Sequence, residues 1–189
     1  MEIIIKKELI SDKRICRYLA VGVFIILTAL SAFVRLPLPF TPVPLTLQTF
    51  FVLLSGAFLG RKLGTITQST YMLLGLSGQQ IFTGLGSGSL YLLGSTGGYI
   101  VGFILASFLA GSLLTGKKEG LFTVFLKLLS ADFIILFSGM LWLKISLFLP
   151  LSKAFLLGFL PFVFGDILKV ALATLVYHKM RARVKTILY

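Results

Sequence analysis

The apolar stretch FVFGDILKVALATLVY, residues 162–177, contains one acid and one base, Asp166 and Lys169. A charged side chain near the centre of a membrane-spanning helix costs roughly 2.5 to 3.5 kcal/mol on insertion scales. The two residues are three positions apart, so they project from the same face of a helix. A buried ion pair with no other role is often replaceable by apolar residues without loss of stability. We therefore interpret this pair as functional, as part of a ligand site or a transport pathway.

The composition of the whole chain agrees with a membrane location for this stretch. Of the 189 residues, 57% are hydrophobic and only 13% are charged, against about 25% charged residues in a typical soluble domain. We predict an all-α integral membrane protein with one bundle of six transmembrane helices and no second soluble domain. The net charge of +12 does not indicate nucleic-acid binding, because the basic residues cluster between apolar segments.

Six apolar segments are expected to span the bilayer. The second and third are short for a perpendicular span of about 20 residues, so they would borrow flanking residues or thin the membrane locally. In the fourth, Gly98, Gly102, Ala106 and Ala110 recur every four residues, which predicts a face that another helix approaches closely. The six segments are residues 18–33, 46–60, 63–76, 96–114, 121–143 and 155–178.

The distribution of basic residues predicts the orientation. Most of them flank the segments on one side, against only Arg35, Lys144 and Lys153 on the other. The positive-inside rule then places both termini in the cytoplasm of a multi-pass protein of the cell inner (plasma) membrane. We expect a cytoplasmic arm (1–17), a transmembrane substrate-binding domain (18–178) and a basic cytoplasmic tail (179–189), with the first helix uncleaved. The basic residues on the cytoplasmic side are Lys6, Lys7, Lys13, Arg14, Arg17, Arg61, Lys62, Lys117, Lys118, Lys179, Arg181, Arg183 and Lys185.

The sequence offers no convincing site for nucleotide or metal chemistry. The stretch GSLLTGKK, residues 111–118, satisfies GxxxxGK but ends a membrane helix and has Lys118 where a P-loop has Ser or Thr. Cys16 is the only cysteine and His178 the only histidine, which excludes His/Cys metal sites. We expect no ATPase motif, no cofactor and no bound metal.

The outer side of the bundle has the features of a covered pocket. The connection RLPLPFTPVPLTLQTF, residues 35–50, holds four prolines within eight positions and should form a stiff, extended lid. Gln48 lies just inside it, and Tyr99 begins the fourth helix. Together with the charge pair they provide an amide, a phenol, an acceptor and a cationic donor for a small polar ligand. The lid residues are Pro37, Pro39, Phe40, Thr41, Pro42 and Pro44.

A different class of function remains open. Asp132 and Asp166 both lie near the middle of apolar segments, as the two acids of a paired-aspartate membrane enzyme would. Lys169, one turn from Asp166, disfavours this interpretation because it would neutralise the acid instead of leaving it to share a proton.

The chain resembles the BioY family, the biotin-specific S components of energy-coupling-factor (ECF) vitamin transporters. The resemblance covers nearly the whole chain from the first helix onward. Its most specific blocks are PFTPVPLTLQT, residues 39–49, and GSTGGYIVGF, residues 94–103. Further blocks are GAFLGRKLG at 56–64, YMLLGLSG at 71–78, and the GDxxK arrangement of Gly165, Asp166 and Lys169.

This resemblance implies a six-helix S-component fold that binds biotin from outside, with the first connection closing over it. It also implies a transmembrane coupling subunit and two cytoplasmic ATPase subunits as partners, and a transport subunit that is not itself an enzyme. The matched binding positions are Gln48, Tyr99, Asp166 and Lys169. The loop after the third helix departs from the family pattern, with GQQIF at 78–82 followed by Thr83 and Gly84, where a polar ligand contact is often found.

One expectation rests on the chemical structure of biotin and not on the family match. The carboxylate of its valerate tail cannot be left unpaired in hydrocarbon, so the tail should point to the outer mouth, where Arg35 is the nearby basic residue. Another small vitamin remains an alternative ligand.

Overall fold

The computed structural model describes residues 13–114 and 119–189. Lys6 and Lys7, and the last residues of the GxxxxGK stretch, lie outside this described part. The elements, in chain order, are α1 (Lys13–Ser31), β1 (Arg35–Leu36), β2 (Leu45–Thr46), α2 (Gln48–Leu76), α3 (Gly88–Leu93), α4 (Gly97–Leu113), α5 (Leu121–Ser146), α6 (Leu151–Gly158) and α7 (Leu160–Leu188).

The helices have the length and surface of membrane spans. By length and composition α1, α2, α5 and the α6–α7 segment could each cross a bilayer, and α4 is a shorter apolar helix. Large apolar side chains are exposed all round the bundle, with Leu90 83% and Phe164 75% exposed. Such a surface is stable against lipid and would aggregate in water. The prediction of an all-α membrane protein is confirmed.

The α2 helix contains two of the six predicted segments. It breaks at Gly60, whose φ of 74° and ψ of 178° are not helical and favour a residue without a Cβ. The two arms fold back on each other, so that a Cβ on Gly64 would lie 2.8 Å from the Cα of Gly56. Gln68 donates across this hairpin to Ser55, at 2.9 Å. With α1, α4, α5 and α7, the two arms give the six predicted spans in the described part of the chain.

The predicted small-residue face of α4 is confirmed. A Cβ on Gly98 would lie 2.1 Å from the Cβ of Trp142, and one on Gly102 would lie 2.2 Å from the Oγ of Ser138. Both neighbours belong to α5. On its other side α4 packs against α2, where a Cβ on Gly56 would lie 2.3 Å from the carbonyl oxygen of Ser107. Close backbone approach therefore replaces bulky side chains at both interfaces of α4.

The last predicted segment, 155–178, is not one uninterrupted helix. It includes the end of α6, breaks at Phe159 (φ −124°, ψ −62°), and resumes as α7 with Pro161 in its first turn. Pro161 favours a helix start there because proline has no N–H to donate to a preceding turn. The α7 helix then continues to Leu188, so the predicted tail contains its last turns. It packs against α5 and α2, and this arrangement brings Asp166 and Lys169 to the interior.

Candidate ligand-binding site

A cavity lies beneath the connection between α1 and α2, in the space between α2, α4, α5 and α7. Its volume is about 520 Å³, including the part that is open to the surface. The walls combine aromatic and aliphatic side chains with a few polar groups, as expected for a small-molecule site. The lining residues are Val43, Pro44, Leu45, Thr46, Gln48, Thr49, Tyr71, Thr83, Tyr91, Thr96, Tyr99, Ile100, Phe103, Ile135, Leu136, Phe162, Asp166 and Lys169.

The charge pair on α7 forms the charged wall of this cavity. Asp166 and Lys169 are only 2% and 8% exposed, and the Lys169 ammonium contacts Oδ1 of Asp166. The ammonium also donates to the backbone oxygen of Thr46, at 3.0 Å. Thr49 donates its hydroxyl to Oδ1 of Asp166, at 3.3 Å. The pair therefore holds α7 against the end of the first connection and the start of α2.

Gln48 also lines the cavity, within a chain of hydrogen bonds. Its Nε2 donates to the hydroxyl of Tyr71, at 2.8 Å, and Tyr71 donates to the carbonyl oxygen of Ile81, at 3.0 Å. Its Oε1 accepts from the hydroxyls of Thr83, at 3.1 Å, and Thr46, at 3.3 Å. The loop after α2 is thereby tied to the first turn of α2, and Thr83 lines the cavity.

Tyr99 lines the cavity through its ring. Its hydroxyl donates to the carbonyl oxygen of Gly158, which joins α4 to the end of α6. The ring meets that of Phe162 edge-on, with centroids 5.9 Å apart. The expected phenol donor of Tyr99 is therefore occupied within the protein, and its contribution to the cavity is an apolar surface.

The first connection is a short β-hairpin instead of a continuous extended strand. Arg35 pairs with Thr46 and Leu36 with Leu45 in antiparallel register. None of the four prolines occupies a paired position of the two strands. The N–H group that proline lacks is therefore not missing from any hydrogen bond between the strands.

The hairpin is held over the cavity at two places. The hydroxyl of Thr41 donates to the carbonyl oxygen of Leu157, at 2.7 Å. The side chain of Leu45 covers Gly165, where an added Cβ would lie 3.1 Å from it. Of the predicted lid residues, Pro44 lines the cavity, whereas Pro37, Pro39, Phe40, Thr41 and Pro42 do not.

Arg35 and Gly84 lie next to each other outside the cavity wall. The side chain of Arg35 is exposed at the mouth, and a Cβ on Gly84 would lie 2.6 Å from its Nη1. Gly84 has a φ of 75° in the turn after Thr83. The two predicted site residues are therefore together, but neither lines the cavity.

Asp132 is buried close to the cavity but does not line it. It is 1% exposed and lies on α5 one turn before Ile135 and Leu136, which do line it. Its Oδ1 has no hydrogen-bond partner in the described part of the chain. Asp166 is instead committed to Lys169 and Thr49. This is not the arrangement of two equivalent acids that a paired-aspartate enzyme requires.

Several cavity residues were not predicted from the sequence, notably Thr46, Thr49, Tyr71 and Tyr91. A signal was available for the threonines, since they flank Gln48 in an apolar segment. Tyr71 and Tyr91 resemble ordinary interfacial or core aromatics in the sequence, and only the folded α2 hairpin and the loop after it bring them to the site. Within residues 13–114 and 119–189, no group of three His, Cys, Asp or Glu side chains could hold a metal ion.

A membrane bundle that encloses a buried acid–base pair, an amide and aromatic rings beneath a hairpin defines a membrane-embedded binding protein for a small polar molecule. Residues 6–186 match the BioY family. The chain belongs to the BioY family, which confirms the resemblance seen in its motifs.

Similar proteins share both sequence and fold with this chain. It is 40% identical over 161 residues to the "Probable biotin transporter BioY" of Pyrococcus horikoshii, covering 85% of this chain and 93% of that protein. It is 39% identical to the "Biotin transporter BioY" of Thermotoga maritima, with 85% and 92% covered. A crystal structure of the S component for biotin from an ECF-type ABC transporter superposes with a TM-score of 0.84 at 26% identity, covering 89% of this chain and 92% of that one. These relatives are named as transporters or transporter components and not as enzymes.

Proposed function

We propose that this protein is the biotin-binding S component of an ECF transporter and takes up biotin across the plasma membrane. The observation that carries the proposal is the buried Asp166–Lys169 pair in the wall of a cavity beneath the first connection. The names of the relatives and of the similar crystal structure support biotin as the ligand. A transmembrane coupling subunit and two cytoplasmic ATPase subunits complete the proposed transporter.

The chemistry of the pair suits the ureido ring of biotin. That ring offers N–H donors and a carbonyl acceptor side by side, and a carboxylate beside an ammonium provides the complementary acceptor and donor. Tyr99, Phe103 and Phe162 supply apolar surface for the remainder of the ligand. Because a buried ion pair is often replaceable by apolar residues without loss of stability, we infer that this pair is present because the ligand uses both members.

The hairpin is the part of the cavity that has to move. Pro44, Leu45 and Thr46 of the hairpin line the cavity from above, so a ligand that enters from this side has to pass the hairpin. The helical walls are packed against one another, whereas the hairpin is held by two paired positions and a few side-chain contacts. These contacts are the bond from Thr41 to Leu157, the bond from Lys169 to the backbone of Thr46, and the packing of Leu45 on Gly165. We therefore assign the lid role to residues 35–45.

Calorimetric titration of the purified protein in detergent tests the proposal. Biotin should bind at about one molecule per chain, and Asp166→Asn and Lys169→Met should each weaken binding by about 1.5 to 3 kcal/mol. Lys127→Met is a matched control, because Lys127 forms an ion pair with Glu119 but does not line the cavity. It should leave biotin affinity unchanged.

Two results would contradict the assignment. Clear heat with another vitamin, such as thiamin or riboflavin, and none with biotin would replace the ligand while leaving the site in place. Equal biotin affinity in wild type, Asp166→Asn and Lys169→Met would show that the charge pair has only a structural role.

A further inference from the structure

We propose that Tyr71 is a positioning residue that fixes the amide of Gln48 so that one N–H points to the ligand and donates to the ureido carbonyl oxygen. This inference rests on the proposed function, since it names the atom of biotin that Gln48 recognises. Tyr71 is not among the residues that the motif match assigns to the site. The inference is carried by the hydrogen bonds between Gln48, Tyr71, Ile81 and Thr83.

The direction of the hydrogen-bond chain is set by a backbone group. The carbonyl oxygen of Ile81 can only accept, so the Tyr71 hydroxyl, 3.0 Å away, must donate to it. A hydroxyl has one hydrogen, and the Tyr71 oxygen can therefore only accept from Gln48, 2.8 Å away. The Gln48 atom that faces Tyr71 must be the nitrogen, which fixes the orientation of the amide.

The opposite end of the amide is also fully used. Oε1 of Gln48 accepts from Thr83, at 3.1 Å, and from Thr46, at 3.3 Å, which occupies both lone pairs of the oxygen. The second N–H of Gln48 is then the one group of this amide without a bond in the described part of the chain. Because Gln48 lines the cavity and is 4% exposed, that N–H lacks bulk water and favours a ligand acceptor.

Thr46 contacts both Gln48 and Lys169, and so brings the free N–H of Gln48 close to the Lys169 ammonium. Its hydroxyl contacts the amide of Gln48, at 3.3 Å, while its backbone oxygen accepts from the Lys169 ammonium, at 3.0 Å. Two donors therefore flank the same residue at the cavity wall. A ureido carbonyl oxygen has two lone pairs and can accept from both, while Asp166 accepts from a ureido N–H.

The packing around Tyr71 holds its hydroxyl in place. Tyr71 is fully buried, and its ring meets that of Phe82 edge-on with centroids 5.6 Å apart. Phe82 in turn stacks on Tyr91, at 5.0 Å, and Tyr91 donates to the backbone oxygen of Thr83, at 3.1 Å. Gly75 makes room for Phe82, since a Cβ there would lie 2.0 Å from its ring. The phenol is thus fixed by the loop that also supplies Thr83.

The test compares three ligands on purified wild type and Tyr71→Phe by calorimetry. Biotin and desthiobiotin both have the ureido carbonyl, whereas 2-iminobiotin has an imino group, a donor when protonated, in its place. Tyr71→Phe should lower the affinities for biotin and desthiobiotin by about tenfold each, which corresponds to the loss of one hydrogen bond. The affinity for 2-iminobiotin should stay within about twofold of the wild-type value. Tyr177→Phe removes a phenol outside the cavity and should change none of the three.

A second variant keeps the inference testable if Tyr71→Phe does not fold. Gln48→Glu replaces the N–H donor by a carboxylate oxygen in a side chain of almost the same shape. It should lower the biotin affinity more than Gln48→Leu does. It should also reduce the ratio of the biotin affinity to the 2-iminobiotin affinity.

Equal losses for all three ligands in Tyr71→Phe, or unchanged biotin affinity in Gln48→Glu, would overturn the inference. Failure of wild type to bind any ureido ligand would instead overturn the proposed function.

Discussion

Single and double variants of Asp166 and Lys169 distinguish the contribution of the charge pair to stability from its contribution to biotin binding. Asp166→Leu leaves the Lys169 ammonium with the backbone oxygen of Thr46 alone, at 3.0 Å. Lys169→Met leaves the Asp166 carboxylate with the hydroxyl of Thr49, at 3.3 Å. Both residues are more than nine-tenths buried, so either change strands a charge in a low-dielectric interior. Each single variant should lose about 3 to 5 kcal/mol of unfolding free energy.

The double variant should behave differently in the two assays. With Leu and Met in place of the pair no charge is stranded, and the unfolding free energy should return to within about 1 kcal/mol of wild type. Biotin binding should not return, because the acceptor and donor for the ureido ring are both gone. Lys169→Met should destabilise at least as much as Asp166→Leu, because the bond that remains to the carboxylate is the longer one.

The unfolding free energy can be followed by SDS titration with the fluorescence of Trp142, the only tryptophan, which lies against Gly98 in the α4–α5 interface. Calorimetry on the same samples gives the biotin affinity. Stable single variants would refute the reasoning about stranded charge. A double variant that binds biotin as wild type does would refute the role of the pair in recognition.

Three further predictions concern the mouth and the neighbouring acid. Replacing the four lid prolines by glycine, or replacing Thr41 by Val to remove its bond to Leu157, should raise the biotin off-rate more than it lowers the on-rate. Stopped-flow binding measures both rates. An unchanged off-rate would show that residues 35–45 are only a connector. Biotin amide should bind more weakly than biotin by about 1 to 2 kcal/mol of binding free energy. Arg35→Ala should weaken the binding of biotin but not that of the amide. Equal effects on both ligands would exclude Arg35 as the partner of the biotin carboxylate. Asp132→Asn should change biotin affinity by less than about 0.5 kcal/mol, because Asp132 does not line the cavity; a loss as large as that of Asp166→Asn would place Asp132 in the site.

The six spans and the family could be predicted because their signals are local. Apolar runs identified the spans, and the turn at Gly60 lies where the sequence places a break between two short segments. The spacing of three between Asp166 and Lys169 predicts that both charges lie on one helical face, and α7 confirms that they are paired and buried. The recurrence of small residues likewise predicted the close packing of α4, which Gly98 and Gly102 make with α5.

The conformation of the connections was predicted less well. Four prolines indicated a stiff segment but not that Arg35 would pair with Thr46 in a hairpin, nor that the Arg35 side chain would lie exposed outside the cavity wall. Pro161 marks the start of α7 after a break at Phe159, where one helix was expected. In both places the outcome depends on which backbone N–H groups find partners in neighbouring elements, and a single stretch of sequence does not contain that information.

The sequence by itself determined that this is a membrane bundle with a charged pair facing its interior, because hydrophobicity and helical periodicity act over a few neighbouring residues. Only the tertiary structure decided which polar groups share a cavity and which of their hydrogen bonds remain free. Gln48 meets Tyr71 and Thr83, and Lys169 meets the backbone of Thr46, across separations of 23, 35 and 123 residues. Those contacts depend on how each helix is rotated and where each loop returns, which packing over the whole bundle sets.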